Sequence, residues 1–141
     1  MKRRIVREWM TPNPITIEPH TSLGQANRLM KEHSIRRLPV VDHGKLAGIV
    51  TLGDLREASP SDATSLSIFE IHYLLAKLTV KDIMTREPIT VAPEATVYEA
   101  ARLLFENKIG GLPVVDRGQV VGIITESDIF RMVVQEGDEE T

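Results

Sequence analysis

The chain has 141 residues, long enough to bury one substantial core, and its content of 42% hydrophobic and 26% charged residues is typical of a globular protein. A net charge of −3 argues against non-specific binding to nucleic acid, and the absence of cysteine excludes disulfides, thiolate metal sites and cysteine nucleophiles. The absence of cysteine also fits a cytoplasmic protein, which is the expected location. No apolar run approaches the roughly 18 residues that a membrane helix needs, and the charged start MKRRIVREW lacks the apolar stretch of a secretory signal.

The sequence contains the same unit twice, 74 residues apart. Residues 9–57 align without a gap on residues 83–131, and about two in five positions are identical. A linker (58–82) separates the copies, a solvated basic segment (1–8) precedes them, and a frayed acidic tail (132–141) is expected to follow. Two copies predict a pseudo-twofold arrangement with paired, similar clefts. Since one copy alone would be marginal in size, we expect the halves to share a core.

Each copy is predicted to form a strand, a helix, two strands and a second helix, which gives an α+β fold. In the first copy the opening strand is Ile15–Ile17, and Ser22–Gln25 forms a capping box at the start of the first helix. The motif LPVVD (Leu38–Asp42) and the strand Leu46–Val50 form a hairpin around a turn. The second helix is predicted to begin near Thr51.

The linker contains a predicted helix, SLSIFEIHYLLAKL, with Ser67 and Glu70 as its capping box. Its apolar residues spread over more than one face, so it packs on both sides within the chain, or contacts a second subunit, or does both. The second copy repeats the elements of the first in the same order: Ile89–Val91, Thr96–Glu99, Leu112–Asp116 and Val120–Ile124.

A glycine interrupts the second hairpin strand of each copy, Gly48 in one and Gly122 in the other. Such a glycine indicates a bulge or a close approach of another group to the backbone, and the approaching group could be a flat ligand ring. Met10 and Met84 precede the opening strands and are expected to pack in the interior rather than to take part in chemistry.

The strongest candidates for a chemical role lie in two segments, Gly48–Asp54 (GIVTLGD) and Gly122–Asp128 (GIITESD). Thr-x-x-Asp at a helix start is nearly a capping box, so both motifs could serve only as caps. Alternatively, the aspartate accepts hydrogen bonds from the vicinal hydroxyls of a ribose, while the N–H groups of the helix start suit an anionic phosphate. The residues alone leave both interpretations open.

The repeats resemble a tandem pair of CBS domains, also called a Bateman module. The resemblance rests on M-T-x-x-P-I-T-[IV], L-P-V-V-D and G-h-h-T-x-x-D, where h is apolar, and covers about 100 of the 141 residues. The linker helix and the TVKDIMT that follows it further resemble the CBS pairs of acetoin-utilisation-type proteins. Those proteins commonly carry a C-terminal ACT domain, which this chain lacks.

The resemblance implies a non-catalytic regulatory module that requires no cofactor and binds adenosine-containing ligands (AMP, ADP, ATP, S-adenosylmethionine or NAD) in two clefts between the repeats. It also implies a homodimer, and a partner protein that the sequence does not specify. One implied site combines Thr125, Asp128, Thr11, Ile15, Thr16, Ile35, Arg36 and Arg37. The other combines Thr51, Asp54, Thr85, Ile89, Thr90, Ile109, Gly110 and Gly111.

The two implied sites differ where a phosphate should lie, because Arg36-Arg37 of the first repeat is Gly110-Gly111 in the second. Arginine presents fixed donors that match phosphate oxygens, whereas glycine offers only its backbone N–H. The alternative is that both arginines are surface residues without a ligand.

Three other functions are weighed against ligand sensing. A structural dimerisation domain with degenerate pockets is the main alternative, and the two intact T-x-x-D motifs argue against it. An enzyme is not expected, because the sequence shows no nucleophile or acid–base constellation. Nucleic-acid binding would depend on the basic start alone and is not expected. A metal is not expected either, since no metal-ligand spacing relates the four histidines, His20, His33, His43 and His72.

Overall fold

The structure is a computed structural model that describes residues 4–59 and 65–140. Its elements are, in chain order, α1 (Val6–Trp9), β1 (Thr11–Pro12), α2 (Leu23–His33), β2 (Arg37–Asp42), β3 (Lys45–Thr51), α3 (Leu52–Ala58), α4 (Ile68–Lys77), α5 (Val80–Ile83), β4 (Thr85–Arg86), α6 (Val97–Asn107), β5 (Gly111–Asp116), β6 (Gln119–Thr125) and α7 (Glu126–Glu140). This mixture of helices and sheets confirms the α+β class.

The chain folds into two compact units whose limits differ from those of the sequence repeats. Unit 1 comprises Met1–Pro14 and Pro88–Thr141, and unit 2 comprises Ile15–Glu87. The segment that opens the first repeat therefore belongs to the unit of the second repeat, and the segment that opens the second repeat belongs to the unit of the first. Repeat alignment cannot reveal this exchange, because it compares the copies without showing what each segment packs against.

Each unit contains a three-stranded antiparallel sheet, in the order β1-β6-β5 in unit 1 and β2-β3-β4 in unit 2. The hairpins β2–β3 and β5–β6 are those that the sequence predicts. Both are irregular at the same place, with a register shift between Val40 and Val41 in one and between Val114 and Val115 in the other. The predicted bulges are therefore present, one beside each strand glycine.

The predicted opening strands are wrong in length. Of Ile15–Ile17 only Ile17 pairs, in a parallel bridge with Val40, and in the second copy only Val91 pairs, with Val114. A proline lies on each side of both segments. Because proline cannot donate a ladder hydrogen bond, the pairing does not extend beyond these single residues.

The helices begin where the sequence predicts caps. The Ser22 hydroxyl accepts the N–H of Gln25 at 3.1 Å, and the Ser67 hydroxyl accepts the N–H of Glu70 at 3.2 Å. The linker helix α4 is therefore confirmed. It packs on unit 2 through partly buried residues such as Leu75, while Phe69 stays 86% exposed. One side of α4 thus packs within the chain and the other faces solvent.

Each unit has its own cluster of buried aliphatic residues, so the expectation of one shared core was wrong. Val6 of α1 is fully buried in the cluster of unit 1, and Val80 of α5 is fully buried in that of unit 2. The Val6 N–H donates to the Ala95 carbonyl at 2.8 Å, and the Val80 N–H donates to the Thr21 carbonyl at 2.9 Å. A borrowed helical segment thus completes each unit, which removes the size argument for a common core.

The two ends of the chain are more ordered than expected. Helix α7 continues to Glu140, so residues 132–140 do not form a frayed tail. Met132 is buried in the core of unit 1, and Glu136 forms an ion pair with Arg4. Arg7 likewise pairs with Glu94 at 2.7 Å. The described cations of the basic start are therefore held by carboxylates, which weakens the case for a nucleic-acid surface there.

Gly48 and Gly122 are required by close strand contacts. A Cβ on Gly48 would lie 2.7 Å from the Thr85 carbonyl oxygen, and one on Gly122 would lie 2.9 Å from that of Thr11; the Sδ of Met84 or Met10 is closer still. The predicted close approach to each glycine is therefore made by backbone and thioether atoms. The predicted packing role of the two methionines is confirmed.

We expect Gly122→Ala to lower the free energy of unfolding by roughly 1–3 kcal/mol, the usual cost of overpacking. The matched control is Gly24→Ala on α2, where an added Cβ meets nothing within 4 Å. Because alanine favours the helix, this control should raise stability by about 0.5–1 kcal/mol. Urea unfolding of the three proteins tests the expectation, and equal midpoints for Gly122→Ala and wild type would contradict it.

Candidate ligand site

The second T-x-x-D motif lies where β6 ends and α7 begins. The Thr125 N–H donates to Asp128 Oδ2 at 2.9 Å, and the Thr125 hydroxyl lies 3.2 Å from the same oxygen. The cap predicted from the sequence is therefore present, and it engages one oxygen of the carboxylate. Asp128 is only 8% exposed, and it is the buried charged residue of the described chain. Burying a charged side chain costs free energy unless hydrogen bonds or an opposite charge compensate it, so Asp128 requires partners beyond the cap.

Asp82 shows what the same motif does without burial. Thr79 and Asp82 begin α5, and the Thr79 N–H and hydroxyl lie 2.9 and 3.2 Å from Asp82 Oδ2, the distances found for Thr125 and Asp128. The N–H of Thr79 is the main cause that holds the pKa of Asp82 below its usual value. Asp82 is exposed. Cap geometry alone therefore does not mark a ligand site, whereas the burial of Asp128 separates it from a simple cap.

Arg131 is a neighbour of Asp128 that the sequence patterns did not indicate. Its Nη2 donates to the Trp9 carbonyl at 2.9 Å and lies 3.4 Å from Asp128 Oδ1. Its guanidinium carbon lies 5.0 Å from the centre of the Trp9 ring. The second carboxylate oxygen thus has a long hydrogen bond within an ion pair with Arg131. Asp128 and Arg131 are three residues apart on a predicted helix, so their side chains share a face. This spacing is the signal from which the sequence could have indicated their contact.

The first T-x-x-D motif forms a complete capping box at the start of α3. The Thr51 N–H donates to Asp54 Oδ2 at 2.8 Å, and the Asp54 N–H donates to the Thr51 hydroxyl at 3.1 Å. Asp54 is half-buried, and the position equivalent to Arg131 holds Glu57. The two motifs therefore share the bond from the threonine N–H to the aspartate, but they differ in burial and in the neighbouring charge.

Arg36 and Arg37 lie beside the start of α3. Arg37 pairs with Thr51 across the hairpin, and the carbonyl of Arg36 accepts the N–H of Leu52 at 2.8 Å. Gly110–Gly111 holds the same position beside the start of α7. Both arginines therefore belong to the unit that contains the first T-x-x-D motif.

The structure brings together part of each predicted site. Thr11 pairs with Ile123 in the strand that leads to Thr125, and Thr85 pairs with Ile49 in the strand that leads to Thr51. The remaining residues predicted for the Thr125 site belong to unit 2: Ile15, Thr16, Ile35, Arg36 and Arg37. Those predicted for the Thr51 site belong to unit 1: Ile89, Thr90, Ile109, Gly110 and Gly111. Their part in a site stays a prediction.

Other site chemistry was sought over the part of the chain that the structure describes. Residues 4–59 and 65–140 contain no group of three His, Asp or Glu side chains placed to hold a metal ion. Within the same ranges, no helix has the length and apolar character needed to cross a bilayer.

The family model for the CBS domain matches residues 6–61 and 80–135. The chain belongs to the CBS domain family. The matched ranges correspond to the two sequence repeats, each extended by a few residues at both ends.

Solved CBS pairs share the fold over nearly the whole chain. A putative acetoin utilization protein (AcuB) from Vibrio cholerae is 34% identical, with a TM-score of 0.80, and the match covers 99% of this chain and 98% of that one. The CBS pair of MJ0100, solved with 5′-methylthioadenosine and S-adenosyl-L-methionine, is 33% identical, with a TM-score of 0.80 and coverage of 96% and 99%. CBSX2 of Arabidopsis thaliana, solved with AMP, is 34% identical, with a TM-score of 0.78 and coverage of 95% and 98%. The predicted likeness to acetoin-utilisation proteins is confirmed.

An enzyme also matches, but only over its CBS region. Inosine-5′-monophosphate dehydrogenase of Korarchaeum cryptofilum is 42% identical over 117 residues, which are 82% of this chain and 21% of that enzyme. The chain thus spans about a fifth of that relative. The 141 residues form a CBS pair, which is a regulatory and not a catalytic domain.

Proposed function

We propose that this CBS pair senses an adenosine-containing ligand and regulates a partner protein in the cytoplasm. The observation that carries the proposal is the burial of Asp128, 8% exposed, with one carboxylate oxygen engaged by the cap and the other in a contact of 3.4 Å. A ribose diol would donate further hydrogen bonds to this carboxylate, beside those from Thr125 and Arg131. The ligands in the MJ0100 and CBSX2 structures support the choice of adenosine, since each contains it.

The helix starts beside the two T-x-x-D motifs suit the rest of such a ligand. The helix dipole and the first N–H groups of α7 favour an anion, and the carboxylates of Glu126 and Asp128 in the first turn oppose a second one. Arg36 is exposed and Arg37 half-buried at the start of α3, where their guanidinium groups could bind a phosphate. We therefore propose AMP, ADP or ATP before S-adenosylmethionine or NAD. A ligand shifts the module from one conformation to another only to the extent that it binds one of them more tightly.

A structural dimerisation domain is the second candidate. The observation that favours it is that both aspartates already cap their helices, as the exposed Asp82 does. In that case the T-x-x-D motifs would only stabilise the fold, and the apolar surface described below would be the functional part.

A thermal-shift panel distinguishes the two candidates. The purified chain is heated with AMP, ADP, ATP, S-adenosylmethionine, 5′-methylthioadenosine or NAD, and with GMP and ribose 5-phosphate as controls. A ligand that binds the folded chain raises its melting temperature by mass action, so at least one adenosine compound should stabilise the chain at millimolar concentration. No shift with any of the six would leave the dimerisation domain as the function.

We expect the chain to form a homodimer. Large apolar side chains are exposed on α4, α6 and α7, among them Phe69 at 86%, Phe105 at 85% and Phe130 at 64%. Exposed apolar surface of this kind marks an interaction site, and a twofold pair is the commonest assembly. Light scattering should give twice the 15.8 kDa mass of one chain at tens of micromolar. The mass of a single chain, with and without AMP, would contradict this expectation.

A further inference from the structure

Arg131 is held beside Asp128 by two contacts with Trp9. Its Nη2 donates to the Trp9 carbonyl oxygen at 2.9 Å, and its guanidinium carbon lies 5.0 Å from the centre of the Trp9 ring, a distance at which an aromatic ring attracts a cation. All three residues belong to unit 1, where Trp9 ends α1 and packs against the core. The packing of the unit therefore fixes the partner that holds Arg131 in place.

The guanidinium of Arg131 compensates the charge of Asp128 and leaves room on its carboxylate. Nη2 makes its shorter bond to Trp9 and stays 3.4 Å from Asp128 Oδ1. The N–H and the hydroxyl of Thr125 approach the other oxygen, Oδ2. A carboxylate has about four acceptor positions on its two oxygens, so Oδ1 keeps one for a further donor. The Asp128 side chain is thus contacted on both oxygens and can still accept a hydroxyl.

The first T-x-x-D motif lacks this arrangement. In the repeat alignment, Glu57 takes the place of Arg131 and Ile83 takes the place of Trp9. Glu57 is exposed and lies three residues after Asp54, so it adds a second negative charge on the same face of α3. Ile83 has no ring to attract a cation. The two motifs therefore share their helix caps, whereas the anchored cation accompanies only the second.

We propose that Arg131, anchored by Trp9, is a positioning residue that makes the site of Asp128 bind an adenosine ligand more tightly than the site of Asp54. This rests on the proposed function, in which the aspartates accept ribose hydroxyls. A carboxylate that is already oriented costs less to order when the ligand binds. The second carboxylate at Glu57 also repels a ligand that carries phosphate. The two sites therefore fill in order as the ligand concentration rises, so the module responds at two different concentrations.

Arg131→Gln removes the cation and keeps a polar side chain. The Arg131 side chain is 47% exposed, so the variant should stay folded, which its melting temperature checks. Calorimetric titration with adenosine should show the tighter site weakened by roughly two- to tenfold, the scale of one net hydrogen bond, and the weaker site unchanged. The matched control is Arg102→Gln, which breaks an exposed ion pair with Glu106 on α6 and should alter neither site.

The ligand 2′-deoxyadenosine separates positioning from a general effect on the fold. It lacks one hydroxyl of the diol, so the tighter site of the wild type should bind it less well than adenosine. If Arg131 acts through Asp128, the ratio of the two affinities should shrink in Arg131→Gln. The variant that combines Arg131→Gln with Asp128→Ala should then bind adenosine no more weakly than Asp128→Ala alone. A wild-type ratio in Arg131→Gln, or losses that add in the double variant, would overturn the proposal.

The first motif offers the reciprocal experiment. Glu57→Arg with Ile83→Trp places an arginine and a tryptophan beside Asp54, and it should raise the affinity of the weaker site. Glu57→Gln is the control that removes the negative charge alone. A folded double variant that binds adenosine no better than this control would overturn the role of an anchored cation.

The same titrations distinguish this proposal from the proposed function. A wild-type chain that binds neither adenosine nor AMP would remove both. Two wild-type sites of equal affinity, or a tighter site that is lost in Asp54→Ala and kept in Asp128→Ala, would keep ligand sensing and remove the ranking of the sites. An Arg131→Gln variant that titrates like the wild type would likewise keep ligand sensing and remove only the role of Arg131.

Discussion

Asp128→Ala is expected to lower the affinity for adenosine ligands more than tenfold and to leave the chain folded. The carboxylate should accept hydrogen bonds from two ribose hydroxyls, and a hydrogen bond to a charged group contributes roughly 1.5–3 kcal/mol. Each 1.4 kcal/mol is about tenfold in affinity, so even one lost bond reaches that threshold. Calorimetric titration with adenosine and AMP measures the loss.

The structure supplies a matched control for this experiment. Asp82→Ala removes a carboxylate that makes the same contacts to its own threonine but is exposed. It should weaken a helix cap and leave ligand affinity unchanged. If Asp128 were only a cap, Asp128→Ala would behave like the control, with about 1 kcal/mol less stability and an unchanged titration. Asp54→Ala, tested alongside, reports whether the first motif binds independently.

The parts of the fold that the sequence predicted well are those set by local chemistry. The LPVVD hairpins, the glycine bulges and the caps at Ser22 and Ser67 depend on residues a few positions apart, and all are present. The interpretation of T-x-x-D as a helix cap was also correct, because the threonine N–H donates to the aspartate in both motifs. What short patterns cannot supply is the burial of Asp128, because burial depends on the packing of the whole unit.

The predictions that failed concern contacts between distant segments. The shared core was wrong because Val6 and Val80 each complete a unit from outside its main repeat. The contact between Trp9 and Arg131 joins residues 122 positions apart, so no local pattern could indicate it. Likewise, Lys31 and Phe105 occupy equivalent repeat positions, but only the structure shows that Lys31 lines a groove between α2 and α3 and that Phe105 is 85% exposed.

Replacing Arg36 and Arg37 together by alanine is expected to weaken AMP and ATP binding and to leave adenosine binding nearly unchanged. The loss should be roughly 1.5–3 kcal/mol, the scale of hydrogen bonds between charged groups. Added salt should weaken nucleotide binding more in the wild type than in the variant, because screening acts on the exposed part of the attraction. Arg28→Ala with Lys45→Ala removes the same charge from exposed positions away from the motifs and serves as the control.

Combining the arginine change with each aspartate change assigns the phosphate to a site. The family resemblance implies that Arg36 and Arg37 serve the site of Asp128, so the nucleotide-specific loss should persist in Asp54→Ala and vanish in Asp128→Ala. The contact of Arg37 with Thr51 offers the opposite assignment, and the opposite result would support it. Equal losses for adenosine, AMP and ATP would mean that the arginines stabilise the fold. No loss for any of the three would mean that both are surface residues without a ligand.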